Sequence, residues 1–312
     1  LAAAWKLPLC FFVENNRYAV STTVEEATAE PRLSARGLAF NIPAWHVDGM
    51  DPLAVHLAMR EAAAHMRAGN GPTLIEADVY RYFHQNGPFP GSAFGYRPKE
   101  EETAWRARDP LDMLAARMIE RGLIDAPRVD ALRRQCKRVM EEIAQRLTEP
   151  LADGKRRIRP ELWPSPDFRD VGLRSDMSEF DGMRVLEAAD HTGQTVPRKL
   201  VDAVADVLGR RMETDPGVVV LGEDVHRLKG GTNGATRGLK DRFPDRVLGT
   251  PISENAFAGL GGGLAMDGRY KPVVEFMYPD FMWVAADQVF NQIGKMRHMF
   301  GGTQDVPLDA FA

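Results

Sequence analysis

The sequence predicts an α/β protein with two doubly wound, parallel-sheet domains. Residues 8–82 and residues 196–298 each alternate short strands with longer helices, and such alternation is typical of parallel sheets covered by helices. The 312 residues suffice for two domains of about 150 residues each. Between the two blocks, residues 150–194 carry many Pro, Gly, Asp and Arg residues with weak periodicity, so we expect a partly irregular linker there.

Each element of the first block follows from a local pattern. The apolar run "LPLCFF" predicts a buried strand at 8–14. "DPLAVHLAMREAAAHMRAG" predicts a helix, because Asp51 suits its N-cap, Pro52 its first turn and Gly69 its end. "GPTLIEADVYRY" (71–82) predicts a second strand, and two helices follow over residues 110–148. Strand, helix and strand at this spacing indicate a βαβ unit.

The second block repeats the alternation. Helices are predicted for "PRKLVDAVADVLGRRMETDP", "SENAFAGLGGGLAMDG" and "DFMWVAADQVFNQIGKMRHM", and strands for "GVVVLGEDV", "RVLGT" and "KPVVEFM". The glycine-rich helix is apolar almost all round, so we expect it to be largely buried. Its glycines do not match the dinucleotide-binding fingerprint, because Leu264 stands where a glycine is required. Small residues that allow close helix packing are the better explanation.

Composition restricts the classes of partner. The formal net charge of −4 gives no electrostatic support for a nucleic-acid partner. Cys10 and Cys136 form no disulfide framework, which fits a cytoplasmic location. No apolar run reaches the roughly 18 residues of a membrane span, so we expect no membrane partner. The chain opens on "LAAAWKLP", which suggests a helix already under way, and stops soon after a strand begins. We therefore expect a fragment cut inside a domain at both ends.

Polar residues that follow predicted strands are candidates for a binding site. Asn15 and Asn16 directly follow the first strand. Asparagine is common in turns, but ligands also bind beyond the carboxyl ends of strands in doubly wound folds, and both explanations stay open. His84 follows the strand at 71–82 and opens a stretch rich in Gly, Pro and aromatic residues. This stretch predicts a structured loop over a cleft, although a lone histidine is more often a satisfied polar residue than a catalyst.

Two carboxylates hold comparable positions in the second block. Glu223, in "GEDV", comes at the end of a strand, where an ordinary loop acid and an acid in a cleft are equally good explanations. Glu254, in "TPISEN", begins the glycine-rich helix, where the helix dipole favours an acid. The apolar residues after Glu254 favour a buried carboxylate aimed at a ligand over a simple capping acid.

Several stretches together resemble one family. "AAAWKLPLCFFVENNRYAVST", "VDGMD", "GPTLIEADVYRY" and "YRPKEEETAWRARDP" resemble the α chain of thiamine-diphosphate-dependent 2-oxo acid dehydrogenases. "VVVLGEDV", "TRGLKDRFPDRVLGTPISENAFAGLGGGLAM", "KPVVEFMYPDFMWVAADQVFNQIGK" and "GGTQDVPL" resemble the β chain of the same component. The resemblance implies a fused chain with an incomplete diphosphate-binding domain at 1–149, a linker at 150–194 and an incomplete pyrimidine-binding domain at 195–312.

The resemblance also implies a metal site and a catalytic pair. Asn16 matches a side-chain ligand of the Mg²⁺ ion on the cofactor diphosphate, and Tyr18 matches a backbone-carbonyl ligand. The family's "GDG" motif, which supplies a further ligand, has no counterpart in these 312 residues. Glu254 matches the carboxylate that bonds the aminopyrimidine ring and promotes loss of the thiazolium proton, and His84 matches a catalytic histidine.

Three further positions match cofactor-binding residues of the family. Met277 and Phe281 match residues beside the aminopyrimidine, and Glu223 matches an acid in the polar passage between paired active sites. If Glu254 and Phe281 touch one ring, their side chains lie within about 10 Å of each other.

The activity that the resemblance implies is that of an oxidoreductase. It decarboxylates pyruvate or a branched-chain 2-oxo acid and passes the acyl group to the lipoyl domain of an acyltransferase, within a multienzyme complex. The resemblance further implies a homodimer of fused chains, and we expect the fragment alone to be inactive. An acetoin-cleaving dehydrogenase of the same family and a non-catalytic remnant retained for assembly stay as alternatives.

Overall fold

Alternating strands and helices build two parallel sheets, one in each half of the chain. The computed structural model describes residues 1–84, 87–163, 182, 187–301, 306 and 308–311. The chain divides into two compact units, Leu1–Arg146 and Leu147–Ala312. The predicted α/β class is confirmed, because both larger sheets are purely parallel. About half of the predicted linker, residues 164–181 and 183–186, lies outside the described residues.

The first unit contains five strands, of which three form its sheet. The strands are β1 (Cys10–Asn15), β2 (Tyr18–Ala19), β3 (Thr22–Thr23), β4 (Ala44–Asp48) and β5 (Thr73–Asp78). The sheet has the order β1–β5–β4, and β2 pairs with β3 in a separate antiparallel hairpin. Because β5 is central and almost entirely buried, the polar residues near its carboxyl end lie between the ends of two neighbouring strands.

Six helices accompany this sheet. They are α1 (Val24–Ala27), α2 (Arg36–Ala39), α3 (Pro52–Arg67), α4 (Lys99–Arg106), α5 (Pro110–Glu120) and α6 (Ala126–Leu147). α3 begins as predicted, since Asp51 accepts a hydrogen bond from the Leu53 backbone N–H at 3.0 Å and Pro52 follows it. Its buried Ala58 and Ala62 pack with Ile75 of β5. This contact completes the expected βαβ unit.

The expected helix at residue 1 is wrong. Residues 2–6 form only turns, closed by a hydrogen bond of 3.0 Å from the Trp5 N–H to the Leu1 carbonyl. Lys6 then adopts a left-handed backbone with a φ of 52°. That conformation cannot continue a right-handed helix.

The second unit contains a hairpin and a four-stranded sheet. The hairpin strands are β6 (Thr148–Pro150) and β7 (Arg156–Ile158); the sheet strands are β8 (Val218–Glu223), β9 (Val247–Thr250), β10 (Lys271–Glu275) and β11 (Asp309–Phe311). The sheet has the order β11–β10–β8–β9. The hairpin spans residues 148–158 and so overlaps the first part of the predicted linker, which is more regular there than its composition suggests.

Helices cover both faces of the second sheet. They are α7 (Leu200–Thr214), α8 (Leu239–Arg242), α9 (Glu254–Met266) and α10 (Gly294–Met299). Leu208 and Met212 of α7 pack with Val220 of β8, whereas Phe257 of α9 packs with Leu221. Since successive strand residues point to opposite faces, these two contacts show the doubly wound arrangement.

Two details of the second unit differ from expectation. α9 buries one face only: its buried residues follow helical spacing, and Asn255, Ala256 and Gly263 are exposed. The expected single helix over 280–299 is instead a 3₁₀ helix (Pro279–Ala285), a π-helix (Asp287–Ile293) and α10. The hydrogen-bond spacing changes along this segment while the apolar pattern stays helical, so sequence periodicity does not reveal the change. Among the described residues, no helix is both long and apolar enough to cross a bilayer.

Candidate functional site

The two asparagines after β1 have different roles. Asn15 is buried, and its Nδ2 donates a hydrogen bond to Glu76 Oε1 at 2.8 Å. Asn16 lies directly after β1, where its Oδ1 accepts a hydrogen bond from the Tyr18 N–H at 2.9 Å. Asn15 therefore ties β1 to β5, whereas Asn16 shapes the turn into β2. Asn16 and Tyr18 both line a cavity of about 290 Å³ at this edge of the sheet.

Aromatic and charged contacts fix the Tyr18 side chain. Its hydroxyl donates to Glu101 Oε2 at 2.9 Å. Burial and, to a smaller extent, the Glu101 carboxylate raise the pKa of Tyr18 to about 12. The guanidinium carbon of Arg97, whose side chain is fully buried, lies 4.7 Å from the Tyr18 ring centroid and 5.1 Å from that of Tyr80. Such cation–π contacts stabilise the turn that carries the Tyr18 carbonyl.

His84 lies inside an aromatic cluster rather than at an open surface. It is buried, and its ring centroid is 4.4 Å from that of Phe94 and 6.0 Å from that of Tyr96. Its backbone N–H donates to the Phe89 carbonyl at 2.8 Å. The loop is structured, as its composition predicts, but residues 85 and 86 lie outside the described part. The catalytic role of His84 stays a prediction.

Two buried carboxylates meet at the carboxyl edge of the second sheet. Glu223 ends β8 and pairs in register with Thr250 of β9, and Glu254 begins α9 a few residues later. Both glutamates are buried. Burial raises the pKa of Glu223, and the neighbouring Glu254 carboxylate raises it further. When two acids share a site, one of them retains its proton more strongly, which agrees with the raised pKa of Glu223.

The segment after β10 lies against the same helix. Asn233 Nδ2 donates to the Met277 carbonyl at 3.0 Å, which joins the glycine-rich loop after β8 to this segment. Phe281 is half-buried in the 3₁₀ helix Pro279–Ala285, and its ring meets the Tyr278 ring edge-on at 5.4 Å. That 3₁₀ helix packs against α9, which carries Glu254. The expected separation of Glu254 and Phe281 stays a prediction.

Two family models match this chain. Residues 1–153 match the family described as dehydrogenase E1 component, and residues 197–306 match the transketolase pyrimidine-binding domain. The two matches support a thiamine-diphosphate-dependent 2-oxo acid dehydrogenase. Both matches occur on one chain, in the order that the resemblance implies.

Curated relatives match part of this chain. The pyruvate dehydrogenase E1 component subunit alpha of Rhizobium meliloti (strain 1021) is 43% identical over 123 residues, or 39% of this chain and 34% of that protein. The somatic, mitochondrial form of that subunit from Homo sapiens is 40% identical over 146 residues, or 46% of this chain and 36% of that protein. The matched stretch therefore spans about a third of these relatives.

A solved structure has the same fold. A crystal structure of a transketolase mutant from Pichia stipitis superposes with a TM-score of 0.50 and 16% sequence identity. The match covers 100% of this chain and 44% of that one. At this identity, the match concerns the fold alone.

One buried acid at the carboxyl edge of the second sheet, Glu275, was not predicted from the sequence. Glu275 ends β10, is 4% exposed, and has its pKa raised to about 7 by burial. A Cβ added to Gly231, in the loop after β8, would lie 3.1 Å from Glu275 Oε2, so that loop packs directly on the carboxyl group. Among the described residues, Oε2 has no hydrogen-bond partner. A charged residue in the apolar strand "KPVVEFM" is the pattern that could have identified it.

Proposed function

We propose that the full-length protein catalyses thiamine-diphosphate-dependent oxidative decarboxylation of a 2-oxo acid, either pyruvate or a branched-chain acid. The acyl group then passes to a lipoyl-bearing acyltransferase of a multienzyme complex. The observation that carries this proposal is the buried Glu223–Glu254 pair at the start of α9. Buried acids without a structural cation are costly, which favours a functional reason for the pair.

The two carboxylates divide one task. Glu254 would share a hydrogen bond with the aminopyrimidine ring nitrogen of bound thiamine diphosphate, and Glu223 would keep a proton next to it. In a dry pocket, a charge-assisted hydrogen bond of this kind is about twice as strong as a neutral one. Bound thiamine diphosphate supplies the carbanion chemistry, while the protein orients the reacting groups. Met277 and Phe281 would provide the apolar surface beside the ring, and His84 would act as a proton donor or acceptor near the substrate.

The residues of the first sheet fit a hard divalent cation. Asn16 Oδ1 accepts one hydrogen bond from the Tyr18 N–H, which leaves its second lone pair for a metal. An amide oxygen and a backbone carbonyl are ligands that Mg²⁺ accepts together with diphosphate oxygens. Asn16 and the Tyr18 carbonyl would therefore hold Mg²⁺, which neutralises the diphosphate charge.

The same proposal includes the domain roles and the assembly. Residues 1–149 form part of the diphosphate-binding domain, residues 150–194 the linker, and residues 195–312 part of the pyrimidine-binding domain. The proposal includes a fused α-type and β-type chain that works as a homodimer; the matches of residues 1–153 and 197–306 to two family models support the fusion. Because the matched stretch spans about a third of those relatives, the test requires the full-length protein.

The deciding experiment is a decarboxylation assay with a panel of 2-oxo acids and an artificial electron acceptor. Glu254→Gln should lower kcat by about 10²–10⁴, the usual value of acid–base help, and should leave the circular dichroism spectrum unchanged. Glu142→Gln, an exposed position on α6, is the matched control and should retain full activity. Undiminished turnover in Glu254→Gln contradicts the catalytic assignment and leaves only the helix-dipole role.

A further inference from the structure

Strand register places a second group of potential ligands on the first sheet. β4 and β5 are parallel, with His46 opposite Glu76 and Asp48 opposite Asp78. Residues two apart on a strand point to the same face. His46, Glu76 and Asp78 therefore project together from one face near the carboxyl edge. None of them is assigned a role by the family resemblance.

The three side chains are close enough to share one ion. One potential ligand atom from each lies within 4.8 Å of the others, and His46 Nε2 is 2.9 Å from Asp78 Oδ2. All three line a cavity of about 180 Å³. Asp78 Oδ1 is buried and has no hydrogen-bond partner within the described part of the chain. A bound cation would satisfy this oxygen.

Glu76 is held in position as an anion. It is 1% exposed, and its two oxygens accept hydrogen bonds from Asn15 Nδ2 at 2.8 Å and from the Ser34 N–H at 2.6 Å. Oε1 accepts one hydrogen bond, from Asn15, and keeps a lone pair, so the carboxylate can also bind a metal.

The Arg17 guanidinium, which already contacts Asp78, is weakly held. An Arg17 guanidinium nitrogen is 3.4 Å from Asp78 Oδ2 and another is 3.8 Å from Glu25, and its side chain is 44% exposed. Exposed pairs of this length contribute little stability. A divalent ion could therefore displace Arg17 from Asp78 at small cost, with Glu25 as the remaining partner.

We propose that His46, Glu76 and Asp78 form a binding site for a first-row transition-metal ion such as Zn²⁺ or Co²⁺, separate from the Mg²⁺ site proposed at Asn16 and Tyr18. One imidazole nitrogen with two carboxylates suits such ions, whereas Mg²⁺ prefers a full set of oxygen ligands. The cavity that these three residues line is not lined by Asn16 or Tyr18. The ion ties the ends of β4 and β5 to the segment that carries Ser34.

The test is a Zn²⁺ titration of the purified 312-residue chain by calorimetry, in the presence of excess Mg²⁺ and without thiamine diphosphate. Co²⁺ serves as a second probe, because its visible absorption reports nitrogen ligation. The wild type should bind one equivalent of Zn²⁺, and His46→Gln and Asp78→Asn should each weaken binding at least tenfold. His56→Gln, an exposed histidine on α3, is the matched control and should bind as the wild type does. Asn16→Ala should also bind normally.

Two results would overturn the proposal. In one, Zn²⁺ binds His46→Gln as tightly as the wild type, which places the ion elsewhere. In the other, Asn16→Ala loses the Zn²⁺, which places it at the turn after β1. If Asp78→Asn fails to fold, the more exposed His46 on the edge strand β4 still decides the question, since circular dichroism can verify that His46→Gln is folded.

Discussion

Buried carboxyl groups at the carboxyl edges of the two sheets have opposite pKa shifts. At the first edge, Glu76 accepts hydrogen bonds from Asn15 and from the Ser34 backbone, and its pKa is lowered despite burial. At the second edge, burial raises the pKa of Glu223 and of Glu275, and each has one oxygen without a partner among the described residues. All three glutamates are buried, yet their pKa shifts differ in direction. Hydrogen-bond donors outweigh burial at the first edge only.

This difference separates two kinds of chemistry. An edge that fixes a carboxylate as an anion presents oxygen ligands, which suits cations. An edge that raises the pKa of its carboxyl groups can give and take protons, which suits acid–base chemistry. The proposed metal sites lie at the first edge and the proposed proton-handling glutamates at the second. Substitutions that change hydrogen bonding, charge or free space at each edge test this difference.

The largest stability effect should come from Glu76→Gln at the first edge. The new amide can present its NH₂ group to the Ser34 N–H, so that a buried donor meets a donor. Loss of the bonds of a buried, fixed charge predicts a decrease of about 2–4 kcal/mol in the free energy of unfolding. Urea denaturation with a chelator present, followed by tryptophan fluorescence, measures it.

The matched control for Glu76→Gln is Glu120→Gln at an exposed position in the last turn of α5. It should change the free energy of unfolding by less than about 0.5 kcal/mol, as surface substitutions usually do. Equal midpoints for Glu76→Gln and wild type would mean that the donors around Glu76 contribute nothing, and the contrast between the two edges would fail.

At the second edge, Glu275→Gln should increase the free energy of unfolding at pH 8, in contrast to the decrease expected for Glu76→Gln. A carboxyl group whose pKa rises from 4.5 to about 7 on folding stabilises the fold below pH 4.5 and loses that contribution as the pH rises to 7. The wild type should therefore lose on the order of 1–3 kcal/mol over this window, and the variant should not. At pH 8 the variant should be the more stable protein, and at pH 4.5 the two should be similar.

Thermal unfolding of both proteins at pH 4.5, 6 and 8 tests this expectation. Asp206→Asn, an exposed position on α7, controls for a general change in charge. A pH profile of Glu275→Gln that parallels the wild type at every pH would show that another group titrates in the window.

The sequence contains the information for the edges but not for their pKa values. Asn16 and Glu254 are predicted at the ends of their elements because caps, apolar runs and strand length act locally. β4 and α4 were not predicted: β4 is a short strand of five residues, and α4 is a mostly charged helix of eight residues. Whether a glutamate meets donors depends on contacts across dozens of residues, such as the one between Ser34 and Glu76. The raised pKa of Glu275 could not be predicted for the same reason.

The smallest expected effect is the excess destabilisation of Gly231→Ala over Gly268→Ala. This excess tests how closely the loop packs on the second edge. Gly231 has a φ of 76°, which costs an L-residue roughly 1–2 kcal/mol, and its Cβ would lie 3.1 Å from Glu275 Oε2. Gly268→Ala has a similar φ of 77° but meets nothing within 4 Å, so it isolates the backbone cost. We expect Gly231→Ala to be the more destabilising of the two in urea, by about 0.5–1 kcal/mol. If the carboxyl group causes the excess, the excess should shrink in a Glu275→Ala background, as a double-mutant cycle would measure. Equal losses for the two glycines would mean that the loop yields without cost, and that Glu275 is less tightly enclosed than its burial suggests.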